Sequence, residues 1–181
     1  MAIAASDIKF KFSEKVSGNG NSAAGTPAAS LGKNISTTEI TDNTLNNLFD
    51  DVSGVENAAS DVEYRCIFVH NAHATLTWLS VAAWLSTEVG GGAAIAIAID
   101  DLPDSAIADT NDQADTIADE DTAPGAGVGA FSAPVSFATG LALGDIAPGY
   151  CRAIWIKRSA ANTVAVDNDG VTISIQGDTA A

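Results

Sequence analysis

The chain has 181 residues, and 34 of its hydrophobic residues are alanine, so the larger apolar side chains number about fifty, enough for one ordinary core. Eight basic against 23 acidic residues give a formal net charge of −15, which excludes a phosphate-gripping surface and makes nucleic acid an unsuitable partner. Sixteen glycines, with many Thr, Ser, Asn and Asp beside β-branched residues, favour strands and turns over helices.

The opening residues, Met-Ala-Ile-Ala-Ala-Ser, show no basic region followed by a sustained apolar stretch, so no secretory signal is expected. The longest apolar runs, such as residues 93–99, fall far short of the roughly 20 residues that span a bilayer, and no membrane role is expected. Residues 1–60 read as an N-terminal arm. Within it, Ile8, Lys9, Phe10, Lys11 and Phe12 alternate apolar and basic, the pattern of a short strand with one wet face. Residues 17–27 are small, polar and glycine-rich, a loop or docking arm. Thr41 or Asp42 is placed to cap a short helix whose Leu45, Leu48, Phe49 and Val52 form one apolar stripe, ended near Ser53 and Gly54. Three turns are marginal in isolation, so this helix must lie against the main domain or a partner.

Residues 61–181 carry the stronger strand signal. In Val62-Glu-Tyr-Arg-Cys-Ile-Phe-Val-His-Asn71 one face is wholly apolar and the other becomes apolar midway, as in an inner strand. Further strands are predicted over residues 75–85, 93–99, 131–137, 150–157 and 171–176; in the last, Val171, Ile173 and Ile175 face in while Thr172, Ser174 and Gln176 face out. Short strands separated by turn signals, with no crossover helix, predict an all-β fold: an antiparallel β-sandwich or jelly-roll with an extended N-terminal arm and one short helix. Nine acids and no base lie between Asp100 and Asp121, so residues 100–127 are expected to form an exposed acidic loop that does not pack. Cys66 and Cys151 each sit inside a predicted strand; a disulfide across neighbouring strands is geometrically open, and buried free thiols are the favoured reading.

Chemistry-bearing motifs are sparse. His70 and His73 lie three apart at a strand end and turn, a poor metal geometry without a third ligand, and read as packed or solvated turn residues. The acidic loop lacks the spacing of a twelve-residue calcium loop, and a solvated loop is the better reading. There is no nucleophile elbow, phosphate-binding glycine loop or Cys-x-x-Cys pair, so no catalytic residue, cofactor or metal is assigned. Trp78 and Trp84 would share a face of an uninterrupted strand; among Leu76, Leu79, Val81 and Leu85, burial in a core or oligomer interface is favoured over a sugar-stacking platform.

Whole-chain texture adds a resemblance. Asn46-Asn-Leu-Phe-Asp-Asp-Val-Ser-Gly54, Glu63-Tyr-Arg-Cys-Ile-Phe-Val-His-Asn71, Thr116-Ile-Ala-Asp-Glu-Asp-Thr-Ala-Pro124, Phe131-Ser-Ala-Pro134, Leu143-Gly-Asp-Ile-Ala-Pro-Gly149 and Ala153-Ile-Trp-Ile-Lys-Arg158 resemble small virion structural proteins of tailed bacteriophages. Within that group the likeness is to head decoration, or cement, proteins, and it covers the chain from about Asn46 onward. It implies a sandwich bound in many copies to the major capsid protein on the outer surface of the head, often as trimers, with no catalytic residues. A tail-fibre or baseplate adhesion module is the alternative, and a glycan-active enzyme ranks below both. Because Lys9, Lys11, Lys15 and Lys33 hold half of the positive charge, the arm is the expected capsid-binding element, with Ile8 to Phe12 adding to an exposed sheet edge and Leu45, Leu48 and Phe49 packing beside it.

Overall fold

A computed structural model of the chain describes residues 2–16, 20–101, 105–106, 113–166 and 168–179. Its strands, in chain order, are β1 (Ile8–Glu14), β2 (Asn34–Glu39), β3 (Val62–Asn71), β4 (Trp78–Glu88), β5 (Ala94–Ile99), β6 (Ser105–Ala106), β7 (Leu141–Ile146), β8 (Tyr150–Ser159) and β9 (Val171–Thr179), and the helix α1 is Gly54–Ala59. All strand pairs are antiparallel. The larger sheet runs β2-β1-β3-β8-β5, with β6 also on β8, and the smaller runs β7-β4-β9. The molecule is therefore an all-β sandwich, as the alternation of apolar and polar residues predicts.

At the centre of the larger sheet, β3 and β8 pair from Val62 opposite Ser159 to His70 opposite Cys151. Over their middle stretches both strands are apolar on both faces. Ile67, Val69, Ile154 and Ile156 meet Val81, Leu85, Leu143 and Ile146 of the smaller sheet in the main core. On the opposite face, Cys66, Phe68, Ala153 and Trp155 form a second core with Ile35, Ala114 and Ile117. Among the described residues no sheet covers that side. Its lid is a ladder between loops, with the Lys33 amide donating to Asp115 O at 3.1 Å, Ala114 to Lys33 O at 2.9 Å and Ile117 to Leu31 O at 3.1 Å. Both cysteines are buried free thiols in this layer, and burial pushes the Cys66 thiol well above its ordinary range.

Several sequence expectations change at this point. Residues 8–14, assigned to the arm, form a strand held on both sides: Ile8 stands opposite Asn71 and Phe12 opposite Ile67, while Glu14 pairs with Asn34 of β2. Its alternation provides one face for the core, so the division at residue 60 does not separate an arm from the sandwich. The helix expected over residues 41–53 is absent; that stretch is turns, because Asn43 and Asn46 take left-handed φ values of 55° and 57° that a helix cannot contain. Ser53 begins a helix where an end was expected. It caps α1, its hydroxyl accepting from the Glu56 amide at 3.3 Å while the Glu56 carboxylate accepts from the Ser53 amide at 2.6 Å. Residues 131–137 provide only the bridge of Ser132 to Ile97, since Pro134 cannot donate to a ladder, and the strand lies instead at Leu141–Ile146.

The acidic segment also packs more than its charge suggests. Asp104, Asp109 and Asp112 lie outside the described residues. Asp100, however, is 2 % exposed, and its carboxylate accepts from Trp155 Nε1 at 3.0 Å and from the Asp115 amide at 2.8 Å. A carboxylate held by two donors tolerates burial, so the returning chain is drawn onto Trp155 and places Ala114 and Ile117 in the second core. Gly32 permits that approach with φ +90°, since a Cβ there would stand 1.8 Å from Asp115 O. Gly32→Ala is accordingly expected to cost at least about 2 kcal/mol, read as a lower urea midpoint with an unchanged slope.

Candidate interaction surface

The residues expected to bind a partner through the arm are dispersed by the fold. Ile8 and Phe10 pack against the main core and Phe12 is 6 % exposed. On the other face of β1, Lys9 pairs with Glu39 at 3.3 Å, and Lys11 is buried with its Nζ donating to Asn21 Oδ1 at 2.7 Å. Burial lowers the Lys11 pKa, with the Glu39 carboxylate opposing it. Leu48 and Phe49 pack on the main core, whereas Leu45 is 73 % exposed. The eight residues thus form no single docking face, and the two lysines are occupied within the molecule.

Phe49 has another role, which periodicity does not reveal. Glu63, Arg65 and Arg158 are all buried at one end of the sandwich. Arg158 Nε donates to Glu63 Oε2 at 2.6 Å, its other nitrogens reach the Asp50 carbonyl and carboxylate, and Arg65 pairs with Glu120. The Phe49 ring covers both guanidinium groups, 4.7 Å from Arg158 Cζ and 5.4 Å from Arg65 Cζ. Burial raises the Glu63 pKa, while the hydrogen bond and charge of Arg158 pull it down. This cluster closes one end of the core and presents no open reactive group.

The histidines differ in their use. His73 Nδ1 accepts from the amides of Thr75 and Leu76 at 3.1 and 3.0 Å, fixing the turn before β4. His70 is 6 % exposed, and neither ring nitrogen has a hydrogen-bond partner among the described residues. Burial, with the neighbouring Lys11 charge, lowers its pKa from 6.5 to about 4.

The outer face of the smaller sheet is the surface that remains. Sequence spacing places Trp78 and Trp84 together, but Ser80 takes φ 52° and the pairing slips between Trp78 and Val81. The bulge reverses the strand's phase. Trp78 therefore enters the core, whereas Trp84 lies on the outer face opposite Ser174. Residues 134–137 run beside β4, with Pro134 O accepting from the Leu85 amide at 2.8 Å, and a 3-10 turn over Phe137–Thr139 returns the chain to β7. Phe137 meets Trp84 edge-on, with ring centroids 5.9 Å apart at 73°. Val135 is 74 % exposed and Phe137 43 % exposed. Around them the face carries Ala82, Ala142, Ser174 and Gln176, and the carboxylates of Asp145 and Asp178 stand only at the Trp78 end of the sheet. In a chain of net charge −15, an aromatic centre free of charge has the composition of a protein-contact surface.

Two measurements test these assignments. Replacing Glu63 with leucine leaves Arg158 deprived of its buried partner and is expected to cost about 3 kcal/mol, with part of that loss recovered when Arg158 is also changed to leucine. For His70, the folded pKa lies below the unfolded value, so the unfolded chain alone takes up the proton between pH 6.5 and about 4. The neutral imidazole's contribution is complete above pH 6.5 and is lost as pH falls through that window, on the order of 3 kcal/mol. Denaturation of the His70→Leu protein at several pH values should show this part of the acid dependence removed.

No family model, no curated protein and no solved structure matches the chain.

Proposed function

We propose that the chain is a virion structural protein of a tailed bacteriophage, a decoration protein that binds the major capsid protein on the outer surface of the head and stabilises the shell by bridging its subunits. The observation that carries this reading is the outer face of the smaller sheet, uncharged around the Trp84–Phe137 pair, on an acidic chain. Such a protein acts by adhesion and not by turnover. Its function requires a rigid body, a desolvatable contact patch, and enough like charge elsewhere to keep unbound copies apart. A firmly packed two-sided core meets the first requirement, and the aromatic pair meets the second. The sequence textures support the phage assignment, and the acidic surface suits a position outside the shell, away from packaged DNA. The capsid contact falls to this face instead of the N-terminal residues, whose strand is already paired on both sides.

The exposed edge of the Trp84–Phe137 pair also favours a second reading, a tail-fibre or baseplate adhesion module that stacks aromatic rings on a host glycan. Copy number separates the two: occupancy set by the symmetry of the shell belongs to the head, and a few copies per particle belong to the tail. Particles assembled with the Trp84→Ser, Phe137→Ser protein test the contact directly. Each substitution is expected to weaken binding by about 2 kcal/mol, so heads should lose most of their bound copies while the free protein keeps its circular dichroism spectrum. Full occupancy with the double variant would overturn the assigned face.

A further inference from the structure

The smaller sheet ends in a strand whose far end is held by the N-terminal residues, the Ile3 amide donating to Thr179 Oγ1 at 3.3 Å, and whose earlier part is open. Among the described residues, β9 pairs with β4 along one edge and no strand pairs with the other. An open edge of this length exposes a row of backbone donors and acceptors, and natural edges are normally blunted by charge, proline or a covering loop. In β9 the six residues from Val171 to Gln176 contain none of these guards; its acidic residue, Asp178, comes later. Val171, Ile173 and Ile175, which face the larger sheet, are only half-buried at this margin. Beside the later part of the edge is a groove of about 380 Å³, lined by Ile3, Ala4, Asp42, Ile175, Gln176 and Gly177 among others.

We infer that this edge binds a second copy of the chain, β9 against β9 in antiparallel register about a two-fold axis at Ser174. The sequence is self-complementary about that point. Ile173 stands opposite Ile175 of the second copy on the core side, and Thr172 stands opposite Gln176 on the outer side. Val171 falls opposite Gly177, which lines the groove. Asp178 falls opposite Gly170, so no acidic residue faces another along the seam. For two bodies of charge −15, a strand pairing in which no carboxylate of β9 stands directly opposite another is what argues for a second copy at this edge. The result is one continuous six-stranded sheet, β7-β4-β9 joined to its two-fold equivalent. This contact stands whether or not the outer face binds a capsid.

Sedimentation of the full chain over a range of concentrations tests the inference, with Thr172→Asp, Gln176→Asp and Thr172→Lys, Gln176→Lys proteins for comparison; both positions are exposed. Wild type should form dimers. Each charged variant should associate at least about tenfold more weakly, because like charges then stand opposite across the seam. An equal mixture of the two variants should restore dimers. In the wild-type protein, exchange of the Val171–Gln176 amides should slow as concentration rises. A wild-type chain that stays monomeric, or a dimer or trimer that neither pair of substitutions weakens, would overturn the two-fold edge contact.

Discussion

The constraint on which the structure depends is that β3 and β8 are apolar on both faces over their middle stretches. A sheet with one wet face needs a single cover, but Cys66, Phe68 and Trp155 would face water if only the Ile67 and Val69 side were packed. The chain solves the two problems differently. On one side it lays three regular strands, β7, β4 and β9. On the other it uses irregular backbone, stitched by the ladder between residues 31–33 and 114–117 and anchored through the buried Asp100 carboxylate on Trp155. Part of what sequence alone presents as loose, the acidic stretch, is committed to this second cover where the structure describes it. Charge density was a poor guide there because one well-donated carboxylate can be buried while its neighbours stay wet.

How much of this was legible depends on whether a local pattern had a single physical cause. β3, β8 and β9 were readable because period-two burial extends over many residues and little else produces it. Ile8 to Phe12 was also recognised as a strand, but its lysines suggested a solvent-facing arm; burial of Lys11 against Asn21 depends on a loop distant in the pattern. The stripe of Leu45, Leu48 and Phe49 has helical spacing by coincidence. Leu48 and Phe49 reach the core from turns built on left-handed asparagines, whose preference for φ > 0 was the available warning. The proposed contact surface is the least readable. The bulge at Ser80 that sends Trp78 inward and Trp84 outward is set by the Asp145 carboxylate accepting from the Ser80 amide, a pairing across 65 positions of sequence.

The distribution of charge connects the fold to its proposed use. Arginines 65 and 158 are consumed at the closed end of the core, while Lys9 and Lys11 are held by Glu39 and Asn21. Much of the acidic surface therefore has no cation set against it, and unbound copies repel one another over most approaches. Repulsion of this kind selects orientations. The Trp84 region of the smaller sheet's outer face and the early part of that sheet's free edge carry no acidic residue, and both belong to the cover that packs on the main core.

Face and edge lie at right angles, so occupying one leaves the other available. Joining two copies along β9 would place both Trp84–Phe137 pairs on one extended sheet, doubling the uncharged area that a flat partner could meet without any new side chain. A second attachment point made in this way is effectively intramolecular once the first has formed, and a contact too weak to hold one sandwich can then hold two. On a shell built from repeated subunits, a pair whose faces have the same orientation and fixed separation spans a seam that a single copy would only touch. The three-stranded sheet, by size the lesser layer of the sandwich, would then be the working one, and the larger sheet with its two covers would serve as the rigid mass behind it.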